Sequence, residues 1–95
     1  MIVKKHMLDD NSLMLAICDK NLIGKKIKEG KINLDLNSEF YKGEPLNKKE
    51  LEKIVKKARI INAVGEKSVA FLQEKKLIKK ISFIKKIPYA QLSRL

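Results

Sequence analysis

The 95-residue chain has no tryptophan, one cysteine, one histidine and two prolines. With Cys18 alone, no intramolecular disulfide can form, and a lone Cys and a lone His cannot supply the ligand set of a structural zinc. The longest strictly apolar run, Leu13 to Cys18, is six residues, where a membrane-spanning helix needs about 20. The first 24 residues contain no signal-peptide apolar core. These absences predict a cytoplasmic protein with no membrane partner, no metal and no cofactor. Aromatic residues are 5% of the chain (Phe40, Tyr41, Phe71, Phe83 and Tyr89), too few for a sheet that stacks several RNA bases.

Acidic residues are scarce in the second half. The net charge is +11, and the stretch Lys53 to Leu95 holds ten Lys and two Arg against Glu66 and Glu74. From Lys75 onward there is no acidic residue at all. A surface of this kind releases condensed counterions from a polyanion, so RNA or a ribonucleoprotein is the expected partner, with translation as a setting. The expected contacts are Lys53, Lys56 and Lys57 on one helix, and Lys75, Lys76, Lys79, Lys80, Lys85 and Lys86 beyond it. Contact would be mainly with phosphates, with Tyr41 and Tyr89 as stacking candidates. The competing reading is a solvated lysine-rich surface without a specific partner.

With no linker or repeat, one domain over residues 1–95 is expected. Ile2 to Leu8 and Leu13 to Cys18 flank Asp9-Asp10-Asn11-Ser12 and read as a β-hairpin. Counting outward from a four-residue loop places His6 opposite Leu15 and Cys18 opposite Val3, so these two do not form a Cys/His nucleophilic pair. Asp19 caps a short helical turn that Gly24 ends. Ile32, Leu34 and Leu36 alternate as in a strand. Asn47 and Glu50 form a capping box with Leu46 and Leu51 as its staple, opening a helix whose stripe is Leu51, Ile54, Val55, Ala58 and Ile61. Asn62 either closes this helix or caps a second one through Lys67 to Lys76. In the latter case Gly65 lies in its first turn, where free amides would accept an anion. Ile81 to Ile87 reads as a strand that Pro88 places at an edge or end. The sum is an α+β sandwich: a mixed or antiparallel sheet with two main helices on one face. Gly24-Lys25 is not a phosphate loop, because positions 19 and 26 are Asp and Lys where Gly and Ser/Thr are required.

Taken in order, Cys18-Asp19, Leu22-Ile23-Gly24-Lys25, Phe40-Tyr41 with Gly43, Asn62 with Val64-Gly65-Glu66, and Ile87-Pro88-Tyr89-Ala90-Gln91 resemble an archaeal family, the domain of unknown function numbered four hundred and twenty-four. The resemblance implies an α+β protein of archaeal cytoplasm and brings no activity. It selects Asp19, Gly24, Lys25, Tyr41, Gly43, Asn62, Gly65, Glu66, Pro88 and Gln91 as pattern positions. A His often stands there in place of Tyr89, and a phenol of pKa near 10 replaces an imidazole poorly in acid/base chemistry. The alternative to RNA binding is therefore a small enzyme or binding domain for a phosphorylated metabolite, with these residues and Tyr89 lining one polar pocket. The sequence does not decide whether the chain is an enzyme.

Overall fold

The computed structural model describes residues 1–94. The chain opens with the expected hairpin, β1 (Ile2–Met7) and β2 (Leu13–Cys18). Its loop is five residues long: Met7 faces Leu13, His6 faces Met14 and Cys18 faces Ile2. The extra loop residue is Leu8, whose N–H donates to Ser12 O at 2.9 Å and whose carbonyl accepts from Asn11 N–H at 2.9 Å. The register thus differs by one residue from a four-residue loop, and His6 and Cys18 stand even further apart.

After a 3₁₀ turn at Lys20–Leu22 come β3 (Lys26–Glu29) and β4 (Ile32–Asp35), which form a separate two-stranded antiparallel sheet. Gly24, at φ +93°, turns the chain into this hairpin. A two-residue strand, β5 (Glu44–Pro45), lies against the start of β1. Helix α1 (Lys48–Val55) begins with the expected capping box: Glu50 N–H donates to Asn47 Oδ1 at 2.9 Å, and Asn47 N–H donates to Glu50 Oε1 at 3.1 Å.

Here the structure departs from the periodicity. α1 stops at Val55, and Ala58 and Ile61, placed on its stripe by sequence, belong to strand β6 (Ala58–Val64). Asn62 neither ends a helix nor caps one; it sits inside β6. A β-bulge makes Arg59 an extra residue against β2, where Leu13 faces Ala58 and Met14 faces Ile60, and so sets Ala58 and Ile61 three positions apart on the same helix-covered face, a spacing that matches a helical stripe. Helix α2 (Glu66–Glu74) follows directly, with Gly65 as its N-cap rather than in its first turn. The expected single strand near the end is a hairpin, β7 (Ser82–Ile84) and β8 (Ile87–Ser93), and Pro88 lies within β8. Its missing N–H is tolerated because the partner strand β7 is short and at the edge of the sheet.

The main sheet has the order β5-β1-β2-β6-β8-β7, with β2 and β6 parallel and the other neighbours antiparallel. It is a mixed sheet in an α+β domain. Val3, Leu15, Ile17, Ile61, Ala63 and Ala90 form one core with Leu51 and Val55 of α1 and Val69, Phe71 and Leu72 of α2. Both helices therefore cover one face. Cys18 and Val64, on the opposite face, pack with Leu22, Ile27, Leu36 and Ile84 beneath the β3–β4 hairpin. That hairpin reaches only one end of the second face. The remainder carries the row Lys4, Ala16, Asn62 and Gln91, which are direct neighbours across β1, β2, β6 and β8.

Candidate functional site

The pattern residues separate into groups with different roles. Asp19 is the N-cap of the 3₁₀ turn by position but makes no capping bond there. Its carboxylate instead crosses to α2. Oδ2 accepts from Lys67 N–H at 3.0 Å, and Oδ1 accepts from Ser68 N–H at 2.8 Å and from Ser68 Oγ at 2.7 Å. The helix terminus expected to receive an external anion already holds an internal one, which satisfies the amides and complements the helix dipole. Gly65 makes this approach feasible. At φ +110° and ψ 157° it occupies a region open essentially to glycine, and a Cβ there would lie 2.3 Å from Asp19 Cγ. Its N–H donates to Pro88 O at 2.8 Å. Asp19, Gly65, Ser68 and Pro88 thus form a satisfied junction between β2, α2 and β8, with Glu66 exposed at its rim.

Gly43 is a packing position: a Cβ would fall 2.0 Å from Val3 O. Lys25 is exposed on the turn that follows Gly24. The pattern residues therefore do not form one pocket.

Three of them do converge, with Tyr89 beside them. Tyr41, Asn62, Tyr89 and Gln91 line a cleft of about 380 Å³ on the open face, together with Leu34, Lys80 and Ser82. Asn62 and Gln91 are opposite each other on β6 and β8, and Tyr89 opposes Ser82 on β7. Adjacent strands bring such side chains to about 5 Å between Cβ atoms. Among the described residues, the one side-chain hydrogen bond made by these groups is a weak contact from Asn62 Nδ2 to Met14 Sδ at 3.8 Å. The phenol of Tyr41 is pushed above its usual pKa by burial and, to a lesser degree, by the neighbouring Cys18, so it stays protonated. In contrast to the Asp19 junction, the cleft presents donors and acceptors that the fold leaves unused.

Lys53, Lys56 and Lys57 lie at the end of α1, and Lys75 and Lys76 at the end of α2. Both helix ends lie toward the start of β6: α1 leads into it, and α2 leaves its far end and folds back along it. Lys85 and Lys86 form the β7–β8 turn beyond the other end of β6. The basic residues thus divide into two groups instead of one continuous surface, separated along a seven-residue strand of about 23 Å. All nine expected contact lysines are exposed. Among the described residues, Lys75 alone of the nine forms an ion pair, with Glu52 at 2.6 Å.

Sequence reasoning missed that three of these lysines have positive φ: Lys76 (57°), Lys85 (46°) and Lys86 (67°). Lys76 follows α2 where Leu77 N–H returns to Leu72 O at 3.0 Å, the pattern of a Schellman cap, in which glycine is usual. Lys85-Lys86 occupies a two-residue hairpin turn that favours Asn-Gly. The turn chemistry hid the hairpin, because no Gly or Asn marks it. Phe83, at 60% exposure, is a further aromatic missed as a surface group, but it lies on the other face of β7 from Ser82.

His6 and Cys18 have structural partners. His6 Nε2 lies 3.0 Å from Phe40 O and its ring stacks on Phe40 at 4.5 Å, which fastens the loop after β4 to β1. Cys18 is buried, and burial, with Asp19 beside it, pushes its thiol up to about 12. A protonated, buried thiol is no nucleophile. Among the described residues, no group of three or more His, Cys, Asp and Glu side chains converges on a metal position, and no helix is long and apolar enough to cross a membrane.

A family model described as "Protein of unknown function (DUF424)" matches residues 6–95. Among solved structures, the chain is similar to an uncharacterised conserved protein from Methanopyrus kandleri, at 24% sequence identity and a TM-score of 0.78, over 99% of this chain and 93% of that one. That likeness establishes the fold. No curated protein matches the sequence.

Proposed function

The chain belongs to the family described as "Protein of unknown function (DUF424)", and we propose that it is a small cytoplasmic RNA-binding or ribonucleoprotein-associated module that engages phosphates through its lysines. The observation that carries this reading is the set of lysines on either side of β7, with Lys79 and Lys80 before it and Lys85 and Lys86 after it. All four are exposed, none is in an ion pair among the described residues, and Lys80 lines the open-face cleft. The turn stands three residues along the hairpin from the cleft wall at Ser82 and Tyr89, a span of about 10 Å. It also holds two lysines in a backbone conformation that glycine or asparagine would adopt with less strain. Strain kept at an exposed basic turn fits selection for charge at that position rather than for stability.

Fluorescence anisotropy with a labelled single-stranded RNA over a salt series tests the proposal. Binding that weakens with salt is expected, and each phosphate contact removed lowers the slope by about 0.7 for a single strand. Replacing Lys79, Lys80, Lys85 and Lys86 with Gln should reduce the slope by about 2 to 3 on that basis. The same replacement at Lys53, Lys56, Lys57 and Lys76 should change it less. No binding near 50 mM salt, or binding indifferent to salt, refutes the reading.

A second reading, a binding domain or enzyme for a phosphorylated metabolite, is favoured by one observation: a cleft of about 380 Å³ with unused amide and phenol groups is within the size range of small-molecule sites. A mononucleotide bound as tightly as an oligonucleotide would support it over the first.

A further inference from the structure

Resting on the RNA-binding reading, we infer that the open-face cleft takes one unstacked nucleobase, so that the ligand is single-stranded and is read through its base edge by Asn62 and Gln91. The two amides face the same cleft from adjacent positions on β6 and β8. Each carries an acceptor oxygen and donor N–H groups on one plane, the arrangement that matches the paired donor and acceptor on a base edge. Gln91 makes no hydrogen bond among the described residues, and Asn62 gives one N–H to a thioether at 3.8 Å, so both retain most of their capacity. Tyr41 and Tyr89 add ring surface and hydroxyl groups at the sides, and both pack partly into the second core, which limits their freedom before a ligand arrives. Lys80 supplies a cation on the rim for the flanking phosphate.

The cleft is a poor match for a duplex. Bases in a helix are stacked, and the A-form major groove is too narrow for side chains to read. An extended strand laid along β8 would instead pass the lysine turn and present one base to the amides.

Comparison of four labelled or competing ligands tests this: a single-stranded RNA, an abasic oligonucleotide of the same length, a fully paired duplex and a nucleoside monophosphate. The single strand should bind at least about tenfold more tightly than the abasic chain. Gln91→Ala and Asn62→Ala should each bring the single strand toward the abasic affinity while leaving the salt slope unchanged. Gln91 is exposed and its replacement does not burden folding, so that variant alone suffices if Asn62→Ala is poorly behaved. Equal binding of the abasic chain, an unaffected Gln91→Ala variant, or a preference for duplex overturns the inference while leaving the phosphate-binding proposal standing. A monophosphate bound as tightly as the strand overturns it in favour of a free nucleotide. Absence of binding by every ligand removes the RNA-binding proposal itself.

Discussion

Removal of the Asp19 carboxylate is the most direct perturbation of the junction that joins β2, α2 and β8. In Asp19→Ala, Ser68 loses partners for both its N–H and its hydroxyl, and Ser68 is fully buried. Lys67 N–H loses its acceptor too, but Lys67 is exposed and water can replace it. A lost N-cap costs about 0.5 to 2 kcal/mol, and each buried group left unpaired costs about 1 to 3 kcal/mol. Since the two costs overlap, the expected destabilisation is about 3 kcal/mol. At about 4 to 8 °C per kcal/mol for a domain of this size, the midpoint should fall by about 12 to 24 °C. Asp19→Asn keeps one acceptor oxygen for Ser68 but turns an amide donor toward Lys67 N–H, and should lose about half as much. Gly65→Ala should cost about 2 kcal/mol or more from its backbone conformation, with an added clash against Asp19 Cγ at 2.3 Å. That clash disappears when Asp19 is Ala, so the double variant should be more stable than additivity predicts by more than about 0.5 kcal/mol. Urea denaturation followed by circular dichroism measures all four chains. Destabilisation below about 1 kcal/mol for Asp19→Ala, or strict additivity with Gly65→Ala, would refute the cap assignment. RNA affinity measured well below the midpoint should be unaltered in Asp19→Ala.

Three other outcomes follow from the geometry. Cys18 has a folded pKa of about 12 against 9.0 for a free thiol. Its contribution is complete below pH 9 and is lost as pH rises toward 12, because the unfolded chain releases the proton first. The stability difference between wild type and Cys18→Ala should fall by up to about 1.4 kcal/mol per pH unit in that window, and a pH-independent difference would contradict it. Lys85→Asn with Lys86→Gly relieves two positive-φ positions and should raise stability by about 1 to 2 kcal/mol while weakening RNA binding; a stabilised variant with undiminished affinity removes that turn from the interface. Arg94 Nη1 donates to Val55 O at 2.8 Å and Ala58 O at 2.9 Å, closing the end of α1. Arg94→Ala should cost about 1.5 to 3 kcal/mol, read from the same denaturation curves.

The capping box at Asn47 and Glu50, the β1–β2 hairpin and the second helix, expected over Lys67 to Lys76 and found over Glu66–Glu74, were legible along the chain, because each is specified by residues within a turn or a few positions of one another. The family pattern selected residues without saying what they do. Asp19 and Asn62 both belong to it, yet one completes a helix cap and the other faces an open cleft. Periodicity misled at Ala58 and Ile61, where a β-bulge at Arg59 sets two core-facing strand residues three positions apart and imitates a helical stripe. The lysine turn misled for the opposite reason: it adopts a hairpin geometry without the residues that announce one.

Composition and local pattern determined the α+β class, the one-domain size and the excess of positive charge in the second half, since these depend on residue type and short-range spacing. Tertiary structure alone decided where that charge points and which polar groups remain available. Asp19 and Ser68 are 49 positions apart and Asn62 and Gln91 are 29 apart. Contacts at such separations are set by strand order and register, which arise from the packing of the whole sheet and leave no local mark.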